Sequence, residues 1–180
     1  MLVVMYSAIN NCYWLTLYNV TSLGGDKFVN GLILGLSEMS SGIFAGLLIT
    51  YTSPAFAFQT LSVIGILFNA LNQFFVEPGT FMGYATLFIA ILGVGGVYTC
   101  LFVLIGLVIP KQKIGGAMVL IITIGVGSSL GAPMIVLYDA PIPFFVLTVL
   151  ILVSFIISCF LPKLGPDEAL EAEEKLYVEV

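Results

Sequence analysis

Long apolar runs separated by short polar breaks organise the whole chain. The runs lie near residues 2–22, 28–50, 55–76, 81–109, 115–137 and 142–161. A helix rising ~1.5 Å per residue needs about 20 such residues to cross the hydrocarbon core of a bilayer. Each run meets that length. The pattern therefore predicts six transmembrane α-helices followed by a short tail over 162–180. The breaks are Leu23-Gly24-Gly25-Asp26-Lys27, Tyr51-Thr52-Ser53-Pro54, Glu77-Pro78-Gly79-Thr80, Pro110-Lys111-Gln112-Lys113 and Tyr138-Asp139-Ala140-Pro141-Ile142-Pro143. All hold Gly, Pro or charge, the residues that end helices and make turns. Membrane-spanning β-strands would alternate over segments of about 10 residues, and these runs are too long and too evenly apolar for that.

Composition agrees with the pattern. Apolar residues make up 60% of the chain and charged residues 8%, with a mean hydropathy of +1.17. A soluble domain carries about 25% charged residues, which supply its polar coat. The net charge of −5 is concentrated at one end, because six of the ten acids follow Pro166. No basic face exists for nucleic acid. The chain has no His and no Arg, which removes the commonest acid–base group and the usual bidentate anion clamp. Cys12, Cys100 and Cys159 are far apart in apolar runs, so they read as buried small hydrophobes, not a disulfide or metal framework. Six spans put both termini on one side. Lys111, Lys113, Lys163 and Lys175 share that side and Lys27 lies opposite. The positive-inside bias then places both termini in the cytoplasm or its equivalent. The sequence does not say which membrane.

The runs differ in character. The first carries Asn10, Asn11 and Asn19 with several Tyr and Thr; the sixth is almost featureless. Polar faces of spanning helices point to protein or water, so the first helix is expected to line an interior and the sixth to lie at the periphery. Gly31, Gly35, Gly42 and Gly46 form two small-xxx-small pairs, and Gly127 and Gly131 a third. Such pairs let helix backbones approach closely; they are expected at packed or sliding helix contacts.

Candidate functional residues are few. Glu38 is the one acid well inside an apolar run. A charge at mid-bilayer costs about 2.5–3.5 kcal/mol on insertion scales, so Glu38 should face protein. It reads either as a cation or proton contact or as a helix-tying hydrogen bond near Ser37, Ser40 or Ser41. Asn10, Asn11, Tyr13 and Trp14 cluster on the first helix. Amides and rings can hold an organic solute in a mostly apolar pocket, or the amides can simply bond neighbouring helices. Catalysis has no constellation to rest on, and nothing calls for a cofactor or metal. Gly93-Val94-Gly95-Gly96 lies within an apolar run and does not follow a strand, so it is no phosphate loop.

One stretch carries a family resemblance. Asn19, Leu23, Gly24, Gly25, Asn30, Gly35, Leu36 and Glu38 match without a gap the seventh-to-eighth helix junction of the organic cation and anion transporters. That family belongs to the major facilitator superfamily. Ala45-Gly46-Leu47-Leu48-Ile49 resembles the end of its eighth helix, Ala132-Pro133 a Thr-Pro in its eleventh, and Leu161-Pro162-Lys163 its exit. The resemblance implies that the chain is the C-terminal six-helix half of such a bundle. It also implies that Tyr98 and Phe102 face the same cavity as the first helix. The chain departs from the family where a charged latch follows the eighth helix; Thr50–Pro54 carries no charge. It lacks the Glu after the tenth helix, and Val126 stands where cation-transporting members hold an Asp. Two expectations follow. The chain is a transporter half for an organic ion or other small solute, working by alternating access with a second six-helix half. Alternatively, it is a transport-inactive accessory subunit of a larger membrane complex. In both, lipids and a second half or other membrane subunits cover helices one and four.

Overall fold

The computed structural model describes residues 1–22, 26–74, 77, 79–109, 111–136 and 142–160. Its regular structure is helical throughout these residues. The helices are α1 (Leu2–Ser22), α2 (Lys27–Tyr51), α3 (Pro54–Phe74), α4 (Phe81–Val108), α5 (Ile114–Ser129), α6 (Ala132–Val136) and α7 (Ile142–Ser158), with a 3-10 turn at Lys111–Lys113. Helices α2, α3, α4 and the run Lys111–Ser129 are long and apolar enough to cross a membrane. Leu23, Gly24 and Gly25 of the family motif, Asp139, Lys163, Lys175 and the tail lie outside the described residues, as does the side chain of Asn19.

The polar breaks set the helix ends. Asp26 caps α2, its side chain accepting from the Phe28 N–H at 2.8 Å. Pro54 opens α3, where a missing N–H is harmless, and the Ser53 hydroxyl accepts from the Phe56 N–H at 3.2 Å. Before α4, Gly79 turns the chain at φ 82°, a left-handed conformation that favours glycine. Thr80 then caps the helix by accepting from the Gly83 N–H at 3.1 Å. The fifth run is not one helix. It breaks at Leu130–Gly131 between α5 and α6, with Pro133 in the first turn of α6, where proline is tolerated and a continuous α-helix through it is not.

Helices α1 and α4 form the centre. Helix α1 packs on α5, α7, α4 and α6; α4 packs on α3, α2 and α1; α3 and α7 pack on each other. Exchanging α1 with α4, α2 with α5 and α3 with α7 reproduces the main neighbour pairs. The exchange is approximate, since α2 also touches α1 and α3.

The close crossings are not where the glycine pairs predict. A Cβ on Gly31, Gly35, Gly42, Gly46 or Gly127 would meet open space. At Gly131 it would meet only the Ser128 carbonyl, at 3.8 Å. The tight crossing joins α3 to α4, where a Cβ on Gly93 would sit 2.6 Å from Gly65 N and 2.8 Å from Gly65 Cα. A spacing of four marks a face of a helix, and does not say whether that face meets another helix. One further expectation is corrected. Cys12 and Cys100 are buried, but Cys159 is exposed. The sixth run, α7, packs Leu147, Ile151, Ser154 and Ser158 on the bundle and turns Phe145, Val149, Leu152 and Ile156 outward, so it is covered on one side. The least covered long helices are α2 and α5. Helix α2 buries Asn30, Ser37, Ser41 and Ala45, and α5 buries Ile121, Gly125 and Ser129. Their large apolar residues, among them Leu32, Leu36, Met39, Ile43, Val119 and Leu120, point outward.

Candidate functional site

The residues singled out on the first helix meet those on α4. Tyr6, Asn10 and Tyr13 are spaced i, i+4, i+7 along α1 and so share a face; Trp14 and Tyr18 continue beside it. Tyr98 and Phe102, four apart on α4, face them. Six rings form a continuous ladder. Tyr98 and Phe102 meet edge to face at 5.0 Å between centroids. Tyr6 contacts Phe102 at 5.8 Å and Tyr98 at 6.0 Å. Tyr13 stacks on Tyr98 at 5.6 Å. Trp14 meets Tyr13 at 5.9 Å and stacks on Tyr18 at 6.1 Å. These geometries are the ones aromatic pairs prefer, each worth about 0.5–1.5 kcal/mol beyond the area buried. The ladder is fully buried at Tyr6, half-buried through Tyr13, Trp14, Tyr98 and Phe102, and opens at Tyr18. Over Tyr6 to Tyr18 it runs roughly 18 Å along α1.

Glu38 of α2 joins the ladder at its middle. Its carboxyl lies near the Tyr13 hydroxyl, close enough to act on it electrostatically. Oε1 is sealed from solvent and has no hydrogen-bond partner among the described residues. The serines expected to hold it do not. Ser37 donates to the Phe88 carbonyl at 2.6 Å, tying α2 to α4. Ser40 and Ser41 donate to the backbone carbonyls of Leu36 and Glu38. A buried carboxylate oxygen without a donor is uncommon and calls for a partner. The Tyr6 and Tyr98 hydroxyls are 3.1 Å apart and bond each other.

The two asparagines face α5. Asn10 donates to the Gly125 carbonyl at 3.1 Å. Asn11 donates to Ser128 Oγ at 2.8 Å and to the Ser7 carbonyl at 2.7 Å. Their amide N–H groups thus bond a neighbouring helix and their own. Of the motif residues, Asn30 is buried at the start of α2, and Pro133 is exposed on α6. Neither belongs to the ladder. Sequence reasoning missed Tyr6, Tyr18, Gly125 and Ser128. The i, i+4, i+7 spacing of Tyr6 with Asn10 and Tyr13 was the available signal for the first.

Ring faces, four tyrosine hydroxyls and one carboxyl can hold a flat or charged organic solute by stacking, hydrogen bonding and ring–cation attraction. No protein-family model matches the chain, and no curated protein matches it.

Proposed function

We propose that the chain is an integral membrane protein of six spans, one six-helix half of a transporter of the major facilitator type. It would hold an organic ion or other small solute along the aromatic ladder. Membrane placement is supported by the inverted patterning of α2 and α5. Helix α2 turns only small or polar residues inward, α5 turns Gly125 and Ser129 inward beside Ile121, and both turn most of their large apolar residues outward, the reverse of what water selects. Transport is supported above all by the position of the ladder. It lies on the α1–α4 seam, between two three-helix units whose packing partners exchange. Three spans per unit means that the second enters the membrane from the opposite side. Transporters built from such inverted repeats bind substrate at the repeat interface. A second half, facing the open edge of α1 and α4 and flanked by α2 and α5, would complete the cavity.

A second reading, a packing subunit without transport, is favoured by Asn10 and Asn11, whose N–H groups bond within the bundle, and by outward-facing, apolar Val126. A cysteine at Trp14, in a background free of Cys12, Cys100 and Cys159, separates the two in the native membrane. Rapid modification by a water-soluble thiol reagent is expected of a water-filled transport cavity. A wholly protected Trp14→Cys would mean a packed interface and would overturn the transporter reading.

A further inference from the structure

We propose that α5 rocks on α1 about a single seat at Gly125, with Leu130–Gly131 as its hinge. The inference rests on the membrane reading above and not on any substrate. The buried residues of α5 are Ile121, Gly125 and Ser129, every fourth residue, which is one line along one face. That line lies on α1, and among the described residues α5 makes no comparable contact with another long helix. At its centre a Cβ on Gly125 would overlap the Tyr6 ring. The ring therefore rests on bare backbone, as a knob in a socket. The knob is fixed from behind. Tyr6 is fully buried, bonded to the Tyr98 hydroxyl and edge-on to Phe102.

The polar contacts gather at the same point. Asn10 reaches the Gly125 carbonyl, Asn11 reaches Ser128 Oγ, and Ser128 Oγ donates to the Gly125 carbonyl at 2.7 Å. Toward the other end, the Thr123 hydroxyl is used within α5, on the Val119 carbonyl at 2.7 Å. Bonds concentrated within one turn hold a position without fixing an angle. Past the seat the helix ends and α6 begins, so tilt of α5 is not transmitted as a rigid lever into the next segment. The outward residues Val119, Leu120, Ile122, Ile124 and Val126 are apolar and meet the same hydrocarbon at any small tilt.

Helix α2 is the internal control. It occupies the exchanged position on α4, yet its buried residues run from Asn30 to Ala45, about 22 Å against about 12 Å for Ile121 to Ser129. It also touches α1 and α3. Contact over such a length fixes the angle of α2 as well as its place.

Double electron–electron resonance on the whole chain in phosphatidylcholine nanodiscs tests this. Cys12, Cys100 and Cys159 are replaced, and labels go on exposed positions, Val119→Cys of α5 or Ile43→Cys of α2, each paired with Val63→Cys of α3. The α5–α3 distance distribution should be about twice as broad as the α2–α3 distribution. Equal widths would overturn the proposal. A disulfide between Asn11→Cys and Ser128→Cys then pins the seat. Breadth that survives the disulfide supports rocking; breadth that collapses means that α5 slides or detaches, and overturns it. If that variant does not fold, the first comparison still decides. A chain that fails to insert into nanodiscs overturns the membrane reading, whereas insertion with a narrow α5 distribution overturns the rocking alone.

Discussion

Replacing Gly93 by Ala should damage the isolated chain, and replacing Gly35 by Ala should not. At Gly93 the new Cβ would stand 2.6 Å and 2.8 Å from two backbone atoms of Gly65, and 3.1 Å from the Leu61 carbonyl oxygen. Ordinary contact begins at ~3.5 Å, so α3 and α4 would have to separate by roughly 1 Å. No rotamer relieves a clash with backbone. The cost therefore falls near the top of the range of about 1–3 kcal/mol for overpacking. Alanine returns about 1 kcal/mol through its helix propensity, leaving a net loss of about 2 kcal/mol. Gly35 meets open space, and there the propensity gain stands alone. The two variants should differ by about 3 kcal/mol, roughly 100-fold in the folding equilibrium. Reversible unfolding in bicelles, followed by steric trapping, measures both on one scale. A Gly93→Ala variant as stable as the parent, beside a destabilised Gly35→Ala, would show that the helices cross on the glycine-paired face of α2, and would refute the α3–α4 crossing.

Two further outcomes follow from the same geometry. Single cysteines at Lys111 and Glu77 should be labelled from opposite sides of the membrane, with both termini on the Lys111 side; labelling of both from one side would break the six-span parse. Glu38→Gln keeps a polar group beside the Tyr13 hydroxyl and should leave folding intact, whereas Glu38→Leu removes it, at a cost of about 1–3 kcal/mol where that hydroxyl is left unsatisfied. Equal unfolding midpoints for the two variants would mean that the pair does not contribute.

The helices were legible in the sequence because a run of apolar residues bounded by Gly, Pro and charge has few other solutions. Residues 28–50 and 81–109 became Lys27–Tyr51 and Phe81–Val108. The break at Leu130–Gly131 was less legible, since the flanking residues are apolar and only Pro133 signals it. Tyr98 and Phe102 were placed with Tyr13 through the family resemblance, and the structure brings them together. Glu38 turns one carboxyl oxygen into the protein, and the serines beside it in sequence do not hold it. Its nearest serines in sequence bond backbone carbonyls, as hydroxyls on helices commonly do. Its partner Tyr13 lies on another helix, a contact that no local pattern encodes. The glycines misled for a related reason. Gly65, Gly93 and Gly125 do make close contacts, and what distinguishes them from Gly31 and Gly35 is tertiary placement alone.

The open end of the ladder bears on whether this chain works by itself. Tyr13 and Trp14 are half-buried and Tyr18 is exposed. Beside them lies Glu38, one of whose carboxyl oxygens is shut away inside the bundle. In an isolated chain the ring faces and polar edges along this seam would meet hydrocarbon, and each polar group left unsatisfied there costs several kcal/mol. Water could satisfy them, but a bilayer core supplies water only where protein encloses it. On the transporter reading proposed above, the enclosing surface would come from another chain, or from a second half, laid over the α1–α4 seam. On that ground the purified chain, held as a monomer in liposomes, should show no saturable uptake of any organic ion, while the assembled complex should. Saturable uptake by the monomer would mean that six helices suffice to enclose the site, and would end the argument from the open seam.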